Sequence, residues 1–524
     1  MENSNQRSKI YLFSVLLITI VGAMLRLRNL DNQSMWADEL FTVQMAMSGT
    51  WEEAMGASIV TGDLYGWFVY QYAQIFGDSD LVLRASSVVP GILLIPLVAE
   101  IGRNYYNEGT GVLASAFLSI SFHGVRYSQE FRAYMLVTFL IWFAAYLMSK
   151  KSIEINLKLR WMIICLLCSS FVIHYFAAMA VVLLITAYSL TTMNRWVRKN
   201  NQEKKLTTKN LGDYLNSQEG SVIAIAFAVL FLGLSNIRST VTHGTSNHSM
   251  WIPETPSDVH LVLLGHFFSN PWSNSNWETH AMILFGVVSI SPLILYLSRS
   301  IKNTSRSGTL LSEEPEFILW SQTVIPLLMV IIYSYFVRPL FVIRYMTFFL
   351  PAWILLISVS ISRINDLIFS GRQEIIEGKL DSVPVFFMAV VIVTSGIPNA
   401  NSLIDHEYKT DYESASYWLD ENAEEDSYIV SHSFPSYWNS YLERIDSEVR
   451  VADGSQSIPI PDRILNHIEA NEPKIVIYVQ SHTNTRLPDS GLESLLEGSY
   501  VLNDDVSFYD TRIREYWIRS VADG

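Results

Sequence analysis

Charge is scarce in this 524-residue chain. Only 16% of its residues are Asp, Glu, Lys or Arg, against about 25% in a typical soluble domain. Half are hydrophobic and the mean hydropathy is positive, which excludes an ordinary soluble globule of this size. Cysteine is nearly absent too. The two present, Cys165 and Cys168, share one apolar segment with no second ligand pair nearby. There is therefore no disulfide framework, and the C-x-x-C spacing reads as packing rather than redox or metal chemistry.

What the chain has instead is long apolar runs, several of about 17–22 residues, enough to cross a hydrocarbon core of ~30 Å. Spans are expected near residues 10–26, 83–102, 110–124, 131–149, 160–174, 176–193, 220–236, 281–298, 317–337, 343–361 and 381–398. The first, Ile10 to Leu25, runs into Arg26 and Arg28 with no small-residue cleavage site, so it reads as a retained span rather than a signal peptide.

The connecting segments alternate in charge. One set carries 19 bases, among them Arg7, Lys9, Arg103, Lys150, Lys151, the run Arg195 to Lys209, and Arg363; the other set, excluding the tail, carries eight. The positive-inside rule puts the richer set in the cytoplasm. Residues 160–193 are too long for one straight span at ~1.5 Å per residue, and both flanks are basic. Two short spans with a turn near His174-Tyr175-Phe176 satisfy this, and Leu64 to Phe76 must then lie along the outer surface or re-enter. The count is eleven spans, with a cytoplasmic N-terminus and an extracytoplasmic C-terminus.

From Asn399 onward there are 24 acids and 9 bases, a net of −15, so the rest of the chain is near +1. That acidity argues against nucleic acid and against docking on anionic lipid. Lys409 to Leu419 reads as an amphipathic helix. Strand-like runs at Ser427 to His432 and Lys474 to Gln480 alternate with helical ones at Asp462 to Ala470 and Gly491 to Gly498, and Val501 to Arg519 reads as one or two strands. No glycine-rich phosphate loop or catalytic cluster is evident in the tail, which suits a binding or scaffold role. The expected architecture is a multi-pass α-helical membrane domain, residues 1–400, with outer loops 27–82 and 237–280, followed by a small soluble α/β domain, residues 401–524.

The eight outer bases are all arginine: Arg26, Arg28, Arg84, Arg126, Arg132, Arg238, Arg338 and Arg344. A guanidinium is a planar fork of donors suited to phosphate oxygens. Arg126, Arg132, Arg338 and Arg344 sit beside apolar spans, where a charge is costly unless partnered. Each alone fits snorkelling at a helix end; several together fit convergence on one anionic headgroup. In the first outer loop Asp38 and Glu39 stand side by side between Trp36 and Phe41. Such a pair is surface decoration in a bland loop, but burial at a membrane edge moves a carboxylate toward general-base duty. The loop from Arg238 to His280 holds His243, His248, His260, His266 and His280 without tight metal spacing. No metal ligands are assigned, and a divalent cation stays an open reading.

At these residues the chain resembles the C-type (GT-C) glycosyltransferases that use polyprenyl-phosphate sugars. It is most similar to the superfamily of protein O-mannosyltransferases and lipid A aminoarabinose transferases, glycosyltransferase family 39. The motifs are Trp36-Ala37-Asp38-Glu39-Leu40-Phe41-Thr42, Tyr127-Ser128-Gln129-Glu130 with Arg132 and Tyr134, His174-Tyr175-Phe176, and Arg344-Tyr345 before Pro351. The resemblance covers about residues 10–400. It implies that Asp38 is the catalytic base, with Glu39 supporting it or contacting substrate. It implies that Arg132, Arg344 and Tyr345 bind the lipid phosphate, with Arg126, Tyr127, Glu130 and Asp63 around the donor. One departure stands out: where many relatives have His-Pro-Pro or Lys-Pro-Pro before Leu-Tyr, this chain has Thr61-Gly62-Asp63-Leu64-Tyr65.

The implied reaction is an inverting transfer of one sugar from a dolichyl or undecaprenyl phosphate donor to an acceptor hydroxyl. The acceptor would be a protein, a glycan or a lipid-linked glycan, and the partners would otherwise be membrane lipid and no nucleic acid. Two other classes stay open on sequence. A transporter would favour broken helices and midplane charges, whereas the charges here cluster at one edge. A membrane anchor for a surface domain would need neither eleven spans nor the acid pair.

Overall fold

Inside a bilayer a segment must satisfy its own backbone polar groups, and a helix does so within itself. The computed structural model describes residues 2–57, 61–149, 157–200, 263, 315–337, 339, 341–369, 409–431, 435–452, 466–468, 470–471, 473–481, 496 and 498–519, and most of these are helical. The first apolar stretch is α1 (Glu2–Leu27). The following segment carries α2 (Ala37–Ala46), α3 (Trp51–Gly56) and α4 (Asp63–Phe76). Then come α5 (Asp80–Tyr105), α6 (Glu108–Ile120), α7 (Phe122–Ser128), α8 (Tyr134–Ser149), α9 (Leu157–Ile173) and α10 (Ala177–Asn200). After the next described stretch, α11 (Pro315–Ser321) and α12 (Val324–Phe336) precede a 3₁₀ helix, Ile343–Phe349, which runs into α13 (Leu350–Phe369).

The break between α9 and α10 falls at residues 174–176, where span length and basic flanks place it. Two other breaks differ from expectation. The span expected at 110–124 is interrupted at Ser121, whose hydroxyl accepts the Gly124 N–H at 3.1 Å and starts a second helix; a local side-chain cap competes with helix continuation there. The span expected at 317–337 is interrupted between Ser321 and Val324. Among the described residues, Lys9–Leu27, Asp80–Tyr105, Phe317–Phe336 and Ile343–Arg363 are helical, long and apolar enough to cross a membrane. The spans expected near 220–236, 281–298 and 381–398, Arg338, and the histidines of the loop 237–280, described only at residue 263, lie outside the described residues.

The chain divides into two compact units, and the cut does not follow the sequence. One comprises 1–28, 49–77 and 82–405; the other comprises 29–48, 78–81 and 406–524. In the helical unit α1 packs on α6, α6 on α13, and α8 on α9 and the 3₁₀ helix. Small residues allow the closest approaches: a Cβ on Gly102 would meet the Gly111 Cα at 3.0 Å.

The second unit is built on α14 (Tyr412–Asn422), β1 (Ser427–Ser431), α15 (Pro435–Arg444), β2 (Ile475–Ser481), β3 (Tyr500–Phe508) and β4 (Thr511–Ile518). The sheet order is β1-β2-β4-β3, with β1 parallel to β2 and the other pairs antiparallel. Central β2 is buried along nearly its whole length, which explains its unbroken apolar run. Val430, Val476, Tyr478, Leu496, Tyr500 and Tyr516 form a core cluster. The helix expected from Lys409 starts at Tyr412 instead, because the Asp411 carboxylate caps it by accepting the Ser414 N–H at 3.0 Å. Helix α15 was not anticipated, and the expected helix at Gly491 to Gly498 lies largely outside the described residues.

Candidate active site

In the second unit, Asp38 and Glu39 occupy the first turn of α2, where acids complement the helix dipole. Asp38 is half-buried and Glu39 fully buried. The Glu39 Oε2 accepts from the Lys409 ammonium at 2.7 Å, and the two side chains are 0% and 3% exposed. Upstream, Ser34 donates to the Tyr441 hydroxyl at 3.0 Å and accepts the backbone N–H groups of Tyr412 and Glu413 at 3.1 and 3.2 Å. It thereby satisfies two of the amides that a helix start leaves unpaired. The Tyr441 hydroxyl also accepts the Met35 N–H, and burial pushes its phenol well above its usual range. Downstream, Gln44 donates to the Ser436 carbonyl at 3.2 Å and to the Ser440 hydroxyl at 3.0 Å. Arg444 pairs with Asp80 and donates to the Asp78 carbonyl at 3.3 Å.

The helical unit brings together Arg132, Arg344 and Tyr345 around a residue to which the sequence reading gave no role, His174. Its ring is fully buried and lies 5.4 Å from that of Tyr134, 6.1 Å from Phe176, 5.8 Å from Tyr345 and 5.2 Å from Phe348. Phe176 stacks on Tyr345 at 4.1 Å. The Arg132 guanidinium sits 5.8 Å from the Tyr134 centroid, and that of Arg344 5.8 Å from the Tyr345 centroid. Neither His174 nitrogen has a hydrogen-bond partner among the described residues. The charges of Arg132 and Arg344 both act on this ring. The signal in the sequence was the His-Tyr-Phe tripeptide at the break between two spans.

Surrounding bonds fix this cluster. His123 Nε2 meets the Thr347 hydroxyl at 2.8 Å, and that hydroxyl donates to the Arg344 carbonyl at 2.6 Å. The Trp142 indole donates to the Phe348 carbonyl at 3.0 Å, and Ser87 to the Arg132 carbonyl at 2.9 Å. Tyr127 joins through an edge contact with Tyr134 at 5.6 Å. Arg126 donates to the fully buried Glu130 at 3.2 Å, so these two predicted donor residues face each other. The motif departure at residues 61–63 also reaches the cluster. Thr61 bridges to His174, and the Gly62 N–H donates to the Ile173 carbonyl at 2.9 Å. A Cβ on Gly62 would meet the Val172 carbonyl oxygen at 1.7 Å, so only glycine fits. Asp63 itself is exposed in the first turn of α4.

Arg26, like Arg84, is fully buried within the helical unit. The Arg26 guanidinium donates to the carbonyls of Gly22, Ser119 and Leu118, each at 2.9 Å, and to the Ser128 hydroxyl at 3.2 Å. Its donors end helices α1 and α6, which is a packing role. Gln129 adds to this end of α1 by donating to the Arg26 and Arg28 carbonyls at 3.2 and 3.0 Å. Among the described residues, no three His, Cys, Asp or Glu side chains gather as a metal set.

Residues 63–206 match the family model described as dolichyl-phosphate-mannose-protein mannosyltransferase. This stretch contains Asp63, Arg126, Tyr127, Glu130, Arg132 and His174. No curated protein matches the chain. Among solved structures, ArnT from Cupriavidus metallidurans in the apo state is similar over 98% of both chains, at 12% identity and a TM-score of 0.55. The same protein bound to undecaprenyl phosphate is similar over 97% of this chain and 98% of its own, at 11% identity and a TM-score of 0.51. The archaeal oligosaccharyltransferase AglB from Archaeoglobus fulgidus, in complex with an inhibitory peptide and a dolichol-phosphate, is similar over 97% of this chain and 74% of its own, at 11% identity and a TM-score of 0.53. Residues 63–206 are thus similar to the dolichyl-phosphate-mannose-protein mannosyltransferase family, and the chain shares the multi-pass fold of the ArnT and AglB structures.

Proposed function

We propose that the chain transfers a single sugar from a dolichyl or undecaprenyl phosphate donor to an acceptor hydroxyl at the outer face of the cell membrane. Asp38 takes the hydroxyl proton as the oxygen attacks the anomeric carbon. The bond from that carbon to the phosphate oxygen breaks, the configuration inverts, and polyprenyl phosphate leaves. A phosphate with a second pKa of ~6 needs no general acid. It needs its growing charge stabilised, and fixed cationic donors in a low-dielectric site do that.

The observation that carries the reading is the convergence of Arg132, Arg344 and Tyr345 on one buried aromatic cluster. Two guanidiniums beside an imidazole without hydrogen-bond partners among the described residues form an environment for phosphate oxygens, with His174 as an additional N–H donor. The bound undecaprenyl phosphate in the ArnT structure and the dolichol-phosphate in the AglB structure support a lipid-phosphate carrier here. The match of residues 63–206 to the dolichyl-phosphate-mannose-protein mannosyltransferase family favours transfer of a single sugar. In this reading the N-terminus is cytoplasmic and the C-terminal domain is extracytoplasmic; Asp63, Arg126, Tyr127 and Glu130 contact the donor, and Glu39 supports the base or contacts substrate.

The test is an assay of purified protein in lipid, with a panel of polyprenyl-phosphate sugars and cell-envelope acceptors, comparing wild type with Asp38→Asn. Polyprenyl phosphate released by wild type alone supports the base assignment. Equal release by both removes Asp38 from that role, and no release from any donor overturns the proposed reaction.

A further inference from the structure

We infer that the C-terminal α/β domain is a positioning device for Asp38, acting through a buried ion pair between Lys409 and Glu39. The inference rests on the reading of Asp38 as the base. Asp38 and Glu39 are consecutive on one helical turn, so whatever fixes Glu39 fixes the backbone that carries Asp38. Lys409 does so at 2.7 Å in a buried setting, where neither charge is stable without the other. Its ammonium also cancels the charge of the carboxylate adjoining Asp38, leaving a division of labour within the acid pair: Glu39 holds and Asp38 reacts.

The same arrangement extends to both sides of α2. Before it, Ser34 closes the start of α14 and bonds Tyr441 of α15. Within it, Gln44 bonds α15 at Ser436 and Ser440. Further along the chain, Arg444 holds Asp78 and Asp80. These anchors come from residues 409–444, the first of which is 370 positions from Glu39 in sequence. The domain therefore contributes to catalysis by holding the Asp38 segment, and not by contributing a reacting group.

The experiment measures kcat and donor KM for the full chain in lipid with wild type, Lys409→Met, Lys409→Arg and the double variant Lys409→Met/Glu39→Met. Misplacement of a catalytic group by about 1 Å costs on the order of 10²-fold. Lys409→Met is accordingly expected to lose kcat on that order, with donor KM unchanged. Lys409→Arg should recover most of the loss, and the double variant should recover part of it by removing the stranded carboxylate. Gel filtration and polyprenyl-phosphate binding confirm that each variant is folded. Wild-type kcat in a folded Lys409→Met overturns the inference while leaving the sugar-transfer reading intact. So does a loss that neither the arginine nor the charge-free pair relieves. A wild type inert toward every donor removes the sugar-transfer reading and this inference with it.

Discussion

Phe176 and Tyr345 stack face to face, with ring centroids 4.1 Å apart and planes 14° from parallel. One ring comes from the turn between α9 and α10, the other from the 3₁₀ helix before α13. The stack closes one side of the His174 cluster and carries Arg344, one residue before Tyr345, into it. Phe176 is half-buried, so removing its ring costs less than the about 3–5 kcal/mol of a fully buried one. Phe176→Ala is expected to lower the thermal midpoint in detergent and to raise donor KM. Phe176→Tyr keeps the stack and should stay near wild type in both; differential scanning fluorimetry and donor titration measure the two effects.

Arg132 and Arg344 differ from lysine in geometry rather than charge. A guanidinium presents a planar fork that can grip two phosphate oxygens, and those of Arg132 and Arg344 stand 5.8 Å from the Tyr134 and Tyr345 centroids; an ammonium has no such fork. Arg132→Lys and Arg344→Lys are expected to lose much of their activity even though the charge stays. The corresponding Met variants should lose on the order of 10²–10³ in kcat. Activity in Arg→Lys equal to wild type would argue against a forked contact.

Arg26 predicts a different outcome. Because its donors are taken by backbone carbonyls and by Ser128, Arg26→Met should reduce folded yield and leave the donor KM of the surviving protein unchanged. Gly91→Ala tests the same packing from the other side. A Cβ there would meet the Ser128 Oγ at 2.2 Å, and overpacking of this kind costs about 1–3 kcal/mol. A shift in KM without a change in stability would contradict both assignments.

In the second unit, Trp438 is fully buried and its ring packs edge-on to Tyr412 at 4.9 Å. Trp438→Ala is expected to destabilise the fold by about 3–5 kcal/mol. By contrast, the Arg512–Asp505 pair is substantially exposed, and Arg512→Ala should cost less than about 1 kcal/mol. Chemical denaturation of the two variants separates them.

Length and apolarity made the membrane helices legible, because a bilayer sets how many apolar residues a span needs. The break at His174-Tyr175-Phe176 followed from the same constraint together with the basic flanks. The strands at Ser427 and Lys474 were legible from short β-branched runs, since local pattern reports which segments are pleated and buried. The helix stop at Ser121 and the whole of α15 were not, because a single cap or a mostly polar helix leaves no run to count.

The residue types at the candidate site were also readable in sequence: an acid pair and a set of arginines without lysine. Their partners were not. The contact of Glu39 with Lys409 spans 370 residues, and those of Arg26 with Leu118, Ser119 and Ser128 span about a hundred. Sequence by itself determined which segments are apolar, where the charge lies and which side chains have donor or acceptor chemistry, because these are properties of single residues and short windows. Only the tertiary structure decided which charges are used internally, which gather around His174, and that the acid-bearing segment belongs with the C-terminal domain, because pairing between distant residues depends on geometry that no local pattern contains.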